Sequence, residues 1–261
     1  MNTVVTHIDD RGIATITMNN PDKHNAFDDI IIAELTAAFQ QVANDTAVRV
    51  VVLASEGKSF SAGADLNWMK RMAGYTHAEN LRDSHALAEM LRTLNFMPKP
   101  TIARVQGAAF GGAVGLVSCC DMAVASPRAS FCLSEVKIGL IPATISPYVI
   151  AAIGQRASRR YFTTAERFSA DTAQQLGLVS DVVEAEALDN TIEQLISQLL
   201  ANSPAAVKAA KQLVFDVADR VIDTQLIEET CTRIADIRVS EEGQEGLGAF
   251  LDKRQPAWIQ A

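Results

Sequence analysis

The spacing of apolar residues divides the chain into a mixed α/β part and a helical part. Residues 4–7 and 13–18 read as two short strands joined by a turn at Asp9-Asp10-Arg11-Gly12. Asn19-Asn20-Pro21-Asp22 is a loop by its breaker residues. Phe27, Ile31, Leu35, Ala38, Phe39 and Val42 then recur at helical spacing. Residues 48–54 form a continuous apolar run, the pattern of a strand buried on both faces. Thr76-His77-Ala78-Glu79 has the capping-box pattern and predicts a helix over 77–94, stopped by Met97-Pro98-Lys99-Pro100. A strand is predicted at 101–105, then a glycine-rich loop at 107–115 opening a helix, then a strand at 122–124. Strands alternating with helices imply a parallel α/β core.

After Pro142 the texture changes. Helices are predicted over 145–163, 170–176, 185–201, 204–219, 221–237 and 241–252, with one short strand at 179–183. Ser146-Pro147 and Ser203-Pro204 both read as an N-cap followed by the first helical residue. The α/β core is therefore placed at 1–195 and a helical region at 196–261, with no linker or internal repeat between them.

Composition narrows the class. A chain of 261 residues can bury a sizeable core, and 48% apolar with 21% charged residues argues against disorder. The net charge of −8 argues against a nucleic-acid surface. The most apolar stretch, 101–125, is broken by Arg104, glycines and Asp121, which argues against a membrane span. Residues 1–11 lack the apolar run of a signal peptide, so a cytoplasmic location is expected. The cysteines, Cys119, Cys120, Cys132 and Cys231, form no CxxC pair and lie far in sequence from the four histidines. Buried reduced thiols are expected there rather than a metal site.

Two small-residue segments follow the predicted strands: Ser61-Ala62-Gly63-Ala64-Asp65 and Gly107-Ala108-Ala109-Phe110-Gly111-Gly112-Ala113. Both stand where open α/β sheets place ligands. Gly111-Gly112 would open a helix, whose free N–H groups favour negative charge. Two such groups converging on one point would make an oxyanion hole; the alternative is tight helix–strand packing. If 131–135 is extended, Glu135 shares a face with Phe131 and Leu133, and an apolar wall would raise its pKa; the alternative is an exposed carboxylate paired with Lys137. Asp65 reads as a local cap and Asp121 as a hydrogen-bonded structural group. His24 and His85 have no evident partner.

Asn20-Pro21-Asp22-Lys23-His24-Asn25-Ala26-Phe27, Phe60 to Leu66, Gly107 to Asp121, Glu135 to Pro142, and Ala249-Phe250-Leu251-Asp252-Lys253-Arg254 together resemble the enoyl-CoA hydratase/isomerase (crotonase) family over nearly the whole chain. The resemblance implies a crotonase-like α/β fold of repeated ββα units in a spiral core, with a C-terminal helical trimerisation region. It implies oxyanion donors at the N–H groups of Ala64 and Gly112, and Glu135 as the working carboxyl. Gly111, Gly115 and Trp68 would line the site. Lys23, Asn25, Ala26, Ala62, Ala64, Asp65, Leu66 and Lys253 would meet coenzyme A, which is part of the substrate; no separate cofactor is implied. The implied partners are an acyl-CoA thioester and further copies of the chain, as a trimer or hexamer.

One departure bears on mechanism. Hydratases of the family typically carry two glutamates, and the first of these positions is Gly115 here. A bound water is expected to fill that gap. The Gly107–Asp121 and Phe131–Glu135 segments are similar to a bacterial branch whose members hydrate branched or carboxylated enoyl-CoAs such as 3-methylglutaconyl-CoA or carboxygeranoyl-CoA in leucine or terpene breakdown. Hydration of such a thioester is the expected activity. Isomerisation by the single Glu135 is the alternative, followed by a non-catalytic protein that binds acyl-CoA or RNA. Arg104, Arg128 and Lys137 are the candidate cations for a distal carboxylate, and Lys208 and Lys211 are the only basic residues of the helix at 204–219.

Overall fold

The apolar run near residue 50 becomes the centre of a sheet. The structure is a computed structural model and describes residues 3–259. It divides into one unit comprising Met1–Met97 and Thr101–Glu193 and another comprising Pro98–Pro100 and Gln194–Ala261.

In the first unit β1 (Val4–Ile8), β2 (Ile13–Met18), β3 (Val50–Ser55), β4 (Thr101–Val105), β6 (Met122–Ala125) and β9 (Asp181–Val182) form one sheet in the order β1-β2-β3-β4-β6-β9. Only the β1–β2 hairpin is antiparallel; the remaining pairs are parallel. All six residues of β3 are buried, because strands flank it on both edges and side chains cover both faces. A second sheet pairs β5 (Ala109–Phe110), β7 (Ser130–Cys132) and β8 (Phe168–Ser169).

Helix α1 (Asp29–Asn44) starts because the Asp28 side chain accepts from the Ile31 N–H at 2.9 Å, and it buries Ile31, Ile32, Leu35, Ala38, Phe39 and Val42. α2 (Leu66–Met72) is capped by Asp65, and α3 (His77–Asn95) by the Thr76–Glu79 box. α4 (Gly112–Cys119), α5 (Ser146–Thr164) and α6 (Ala170–Leu176) follow, and α7 (Leu188–Leu200) carries the chain into the second unit. There α8 (Pro204–Val217), α9 (Thr224–Val239) and α10 (Glu241–Leu251) make up most of the chain.

Several expectations are corrected. The strand near 131–135 stops at Cys132, and Glu135 opens a 3-10 turn, Glu135–Ile138. α2 is absent from the sequence reading because seven residues give too little periodicity to recognise. Ser146 is the first residue of α5 rather than its cap, and its hydroxyl donates to the Ala143 carbonyl at 2.7 Å; Ser203 does cap α8. α5 is interrupted at Gly154, whose φ of 76° no helix contains. α9 begins at Thr224 rather than 221, because Asp223 accepts from the Leu226 N–H at 2.9 Å. Cys119 and Cys132 are buried, but Cys120 is half-buried and Cys231 is exposed.

Candidate active site

β3 and β4 are adjacent and parallel, so the segments that follow them leave the same end of the sheet. Backbone then meets backbone. A Cβ on Gly107 would lie 1.9 Å from the Lys58 carbonyl oxygen, so only glycine fits there. Ser61 N–H donates to Ala108 O and Phe110 N–H to Ser61 O, both at 3.0 Å, which fastens the first small-residue loop to the second. The Gln106 amide adds bonds to the Ser55 and Gly57 carbonyls at 2.9 and 3.1 Å.

Phe27 holds both loops. Its N–H donates to Gly63 O and its carbonyl accepts from Asp65 N–H, each at 2.7 Å. Ala64 lies between those two bonds, and its own N–H has no protein acceptor among the described residues. The Phe27 ring packs where a Cβ on Gly112 would reach, 3.3 Å from Cε2. Gly112 is the first residue of α4, and its N–H also lacks a protein acceptor among the described residues. Gly111 before it has φ 54° and ψ −123°, which a side chain would oppose, and its N–H donates to Cys132 O at 2.8 Å.

Ala64, Gly111, Gly112 and Glu135 line one cavity of about 520 Å³. The Glu135 carboxyl lies against Gly111, whose missing Cβ would be 3.3 Å from Oε1. Its Oε2 is buried without a hydrogen-bond partner. Burial therefore raises its pKa, opposed only by a bond from its own backbone N–H. The alternative, an ion pair with Lys137, is not formed among the described residues. Met69, Met72, Leu87, Ile141 and Ile145 make much of the remaining wall.

The other expected residues fall into three groups. Ala62, Leu66 and Trp68 line the cavity with Ala64. Lys23, Asn25, Ala26 and Asp65 support it from outside. Asn25 is fully buried: its amide donates to Glu56 O and Ser59 O at 2.8 and 3.0 Å, and its oxygen accepts from Asn20 N–H. Asp65 accepts from Asn67 and Trp68 N–H groups at 2.8 and 3.1 Å and pairs with Lys23 at 3.2 Å. The Trp68 N–H bond, followed by Lys23 and Asn67, holds its carboxyl below the ordinary range against a smaller effect of burial. Lys253 follows α10 in the second unit with φ 56°.

Gly115 departs from expectation. It is buried and does not line the cavity. A Cβ there would stand 2.4 Å from Ile145 Cγ2 and 3.3 Å from Leu91 Cδ2. The space beside Gly115 is thus filled by hydrocarbon, which leaves no room for the expected water and none for a carboxylate.

Of the three candidate cations, Lys137 lines the cavity. Arg104 pairs with Asp189 at 2.6 Å, and Arg128 lies outside the lining. Lys211 donates to the Lys99 carbonyl at 3.1 Å. Asp121 is structural as expected, accepting from the Thr101 N–H and hydroxyl at 2.8 and 2.9 Å. Sequence reasoning missed Asp83 and Ile145 in the cavity wall. Asp83 was detectable as an acid in register with Leu87 and Leu91, at i, i+4 and i+8 on α3.

Residues 9–261 match the family Enoyl-CoA hydratase/isomerase. A solved Legionella pneumophila structure assigned by name to enoyl-CoA hydratase/isomerase (crotonase) is 49% identical, covering 98% of this chain and 99% of that one, with a TM-score of 0.94. An enoyl-CoA hydratase from Shewanella pealeana is 48% identical over 98% and 96% of the two chains, with a TM-score of 0.95. The 2,3-dehydroadipyl-CoA hydratase of Escherichia coli is 32% identical over 245 residues, 94% of each chain.

Proposed function

Since the chain belongs to the enoyl-CoA hydratase/isomerase family, we propose that its cavity binds a 2-enoyl-CoA thioester and adds water across the C2–C3 double bond. The observation that carries this reading is the half-buried Glu135, whose Oε2 is buried without a partner, in the same cavity as two unpaired backbone donors.

The Ala64 and Gly112 N–H groups take the thioester oxygen. Both are fixed before substrate arrives, so charge gathering on that oxygen is met without reorganisation. Ionised Glu135 removes a proton from water as the water oxygen bonds to C3. The C2–C3 electron pair moves toward C1, and the thioester oxygen becomes enolate-like. Glu135, now protonated, returns its proton to C2 and the carbonyl re-forms. The sum is one water added, with Glu135 and both N–H groups unchanged. A raised pKa suits a carboxyl that must both accept and return a proton.

Lys23 and Asp65 hold the 61–64 loop against the coenzyme A portion of the substrate, and Lys253 takes a coenzyme A phosphate bound by the same or a neighbouring copy of the chain. Val221, Ile222, Phe250 and Leu251 are each at least 75% exposed, which supports burial of this helical region against further copies of the chain in a trimer or hexamer. Lys137 in the wall supports a distal carboxylate on the acyl chain. A relative is a hydratase of 2,3-dehydroadipyl-CoA, and an adipyl chain ends in such a carboxylate.

The hydrocarbon seal over Gly115 favours a second reading. With no other carboxyl at that position, Glu135 alone can carry a proton from C4 of a 3-enoyl-CoA to C2, which is isomerisation. Turnover in heavy-oxygen water separates the two. Label in the product establishes hydration; bond migration without label establishes isomerisation.

A further inference from the structure

Asp83 stands on α3 and lines the cavity, and the mechanism above gives it no work. It is half-buried, and Ser84 beside it also lines the cavity. Trp68, only 5% exposed, lines the same cavity, and its indole N–H is buried without a hydrogen-bond partner.

Leu91, two turns further along the same face of α3, packs at Gly115. Eight residues of helix separate Asp83 from that contact by about 12 Å. The residues assigned to the chemistry come from other elements: Ala64 and Gly112 from the loops after β3 and β4, and Glu135 from the turn after β7. Asp83 therefore belongs to a different wall.

We infer that Asp83 is a specificity residue: its carboxylate accepts a hydrogen bond from a hydroxyl carried on the acyl chain beyond the reacting carbons. The inference rests on the reading that this cavity takes the acyl chain. Burial raises the Asp83 pKa most, the Trp68 N–H opposes it, and Asp29 and Arg71 act with smaller, opposite signs. A half-buried carboxylate short of donors gains from a ligand that brings one. It also repels an acyl chain ending in a carboxylate, which is directed instead toward Lys137.

Binding of saturated thioesters tests this without turnover. Hexanoyl-CoA, omega-hydroxyhexanoyl-CoA and adipyl-CoA are titrated into the wild type, Asp83→Leu and Asp83→Asn by calorimetry. Loss of a hydrogen bond to a charged group predicts that Asp83→Leu weakens the hydroxylated ligand about tenfold. Hexanoyl-CoA should hold its affinity and adipyl-CoA should tighten. Asp83→Asn should keep the hydroxylated ligand within about threefold, since its amide oxygen still accepts, while adipyl-CoA tightens. Equal changes for all three ligands in Asp83→Leu, or no preference for the hydroxyl in the wild type, overturn the inference. Binding of none of the three to the wild type overturns the acyl-pocket reading itself, and this inference with it.

Discussion

The proposed mechanism concentrates the chemistry in the Glu135 side chain, so its substitution is the sharpest test at the residue scale. Glu135→Gln keeps the shape and removes the proton carrier. Turnover, followed by loss of enoyl-thioester absorbance, should fall about 10²–10⁴-fold, the usual contribution of a positioned acid–base group. The wild-type rate should rise with pH, because only ionised Glu135 accepts the water proton. The midpoint of that rise should lie above the ordinary glutamate range, since burial raises the pKa. Stability follows the opposite sign. A carboxyl whose folded pKa is raised contributes stability below its unfolded pKa, and that stability is lost as pH rises through the folded value. Glu135→Gln should therefore raise the melting temperature at pH 8, and the difference should vanish below the unfolded glutamate pKa.

Residue identity was legible where an unusual residue stands in an unusual place, as with Gly111-Gly112 and Glu135, which the structure brings into one cavity. The filling of the space beside Gly115 was not. Ile145 lies thirty positions away, and no periodicity links it to Gly115.

At the scale of elements, the site depends on two loops pressed together. Gly107→Ala should test this directly, because the new Cβ meets a backbone carbonyl that cannot rotate away. A loss of about 1–3 kcal/mol in denaturant unfolding is expected, as for other overpacked sites. No change in midpoint would mean that the 58–60 and 107–108 backbones are not held as described.

Elements with long periodic patterns or explicit caps were legible: α1 from its apolar stripe, α3 from its capping box, and β3 from its unbroken apolar run. The two-residue strands β5 and β8 were not, because their pairing is long-range and two residues show no alternation. The turn that carries Glu135 was missed for a related reason. Apolar residues continue past Cys132, but the sheet does not.

At the scale of the whole molecule, the exposed apolar residues of the C-terminal region predict self-association. Sedimentation at micromolar concentration should give a trimer or hexamer; a monomer would contradict this.

The proposed oxyanion site is also a property of the whole chain, since its two donors are 48 residues apart in sequence and reach one cavity through the parallel β3–β4 pairing and the bonds between the two loops. Gly112 allows one donor to be removed almost alone, because proline is accepted at the first residue of a helix and has no N–H. Gly112→Ala brings the same Cβ contact with Phe27 and keeps the N–H. Comparing kcat of these two variants, with melting temperatures matched, isolates the hydrogen bond. The Pro variant should be slower than the Ala variant by about 10²–10³-fold, the cost of one oxyanion donor. Equal rates would contradict the account.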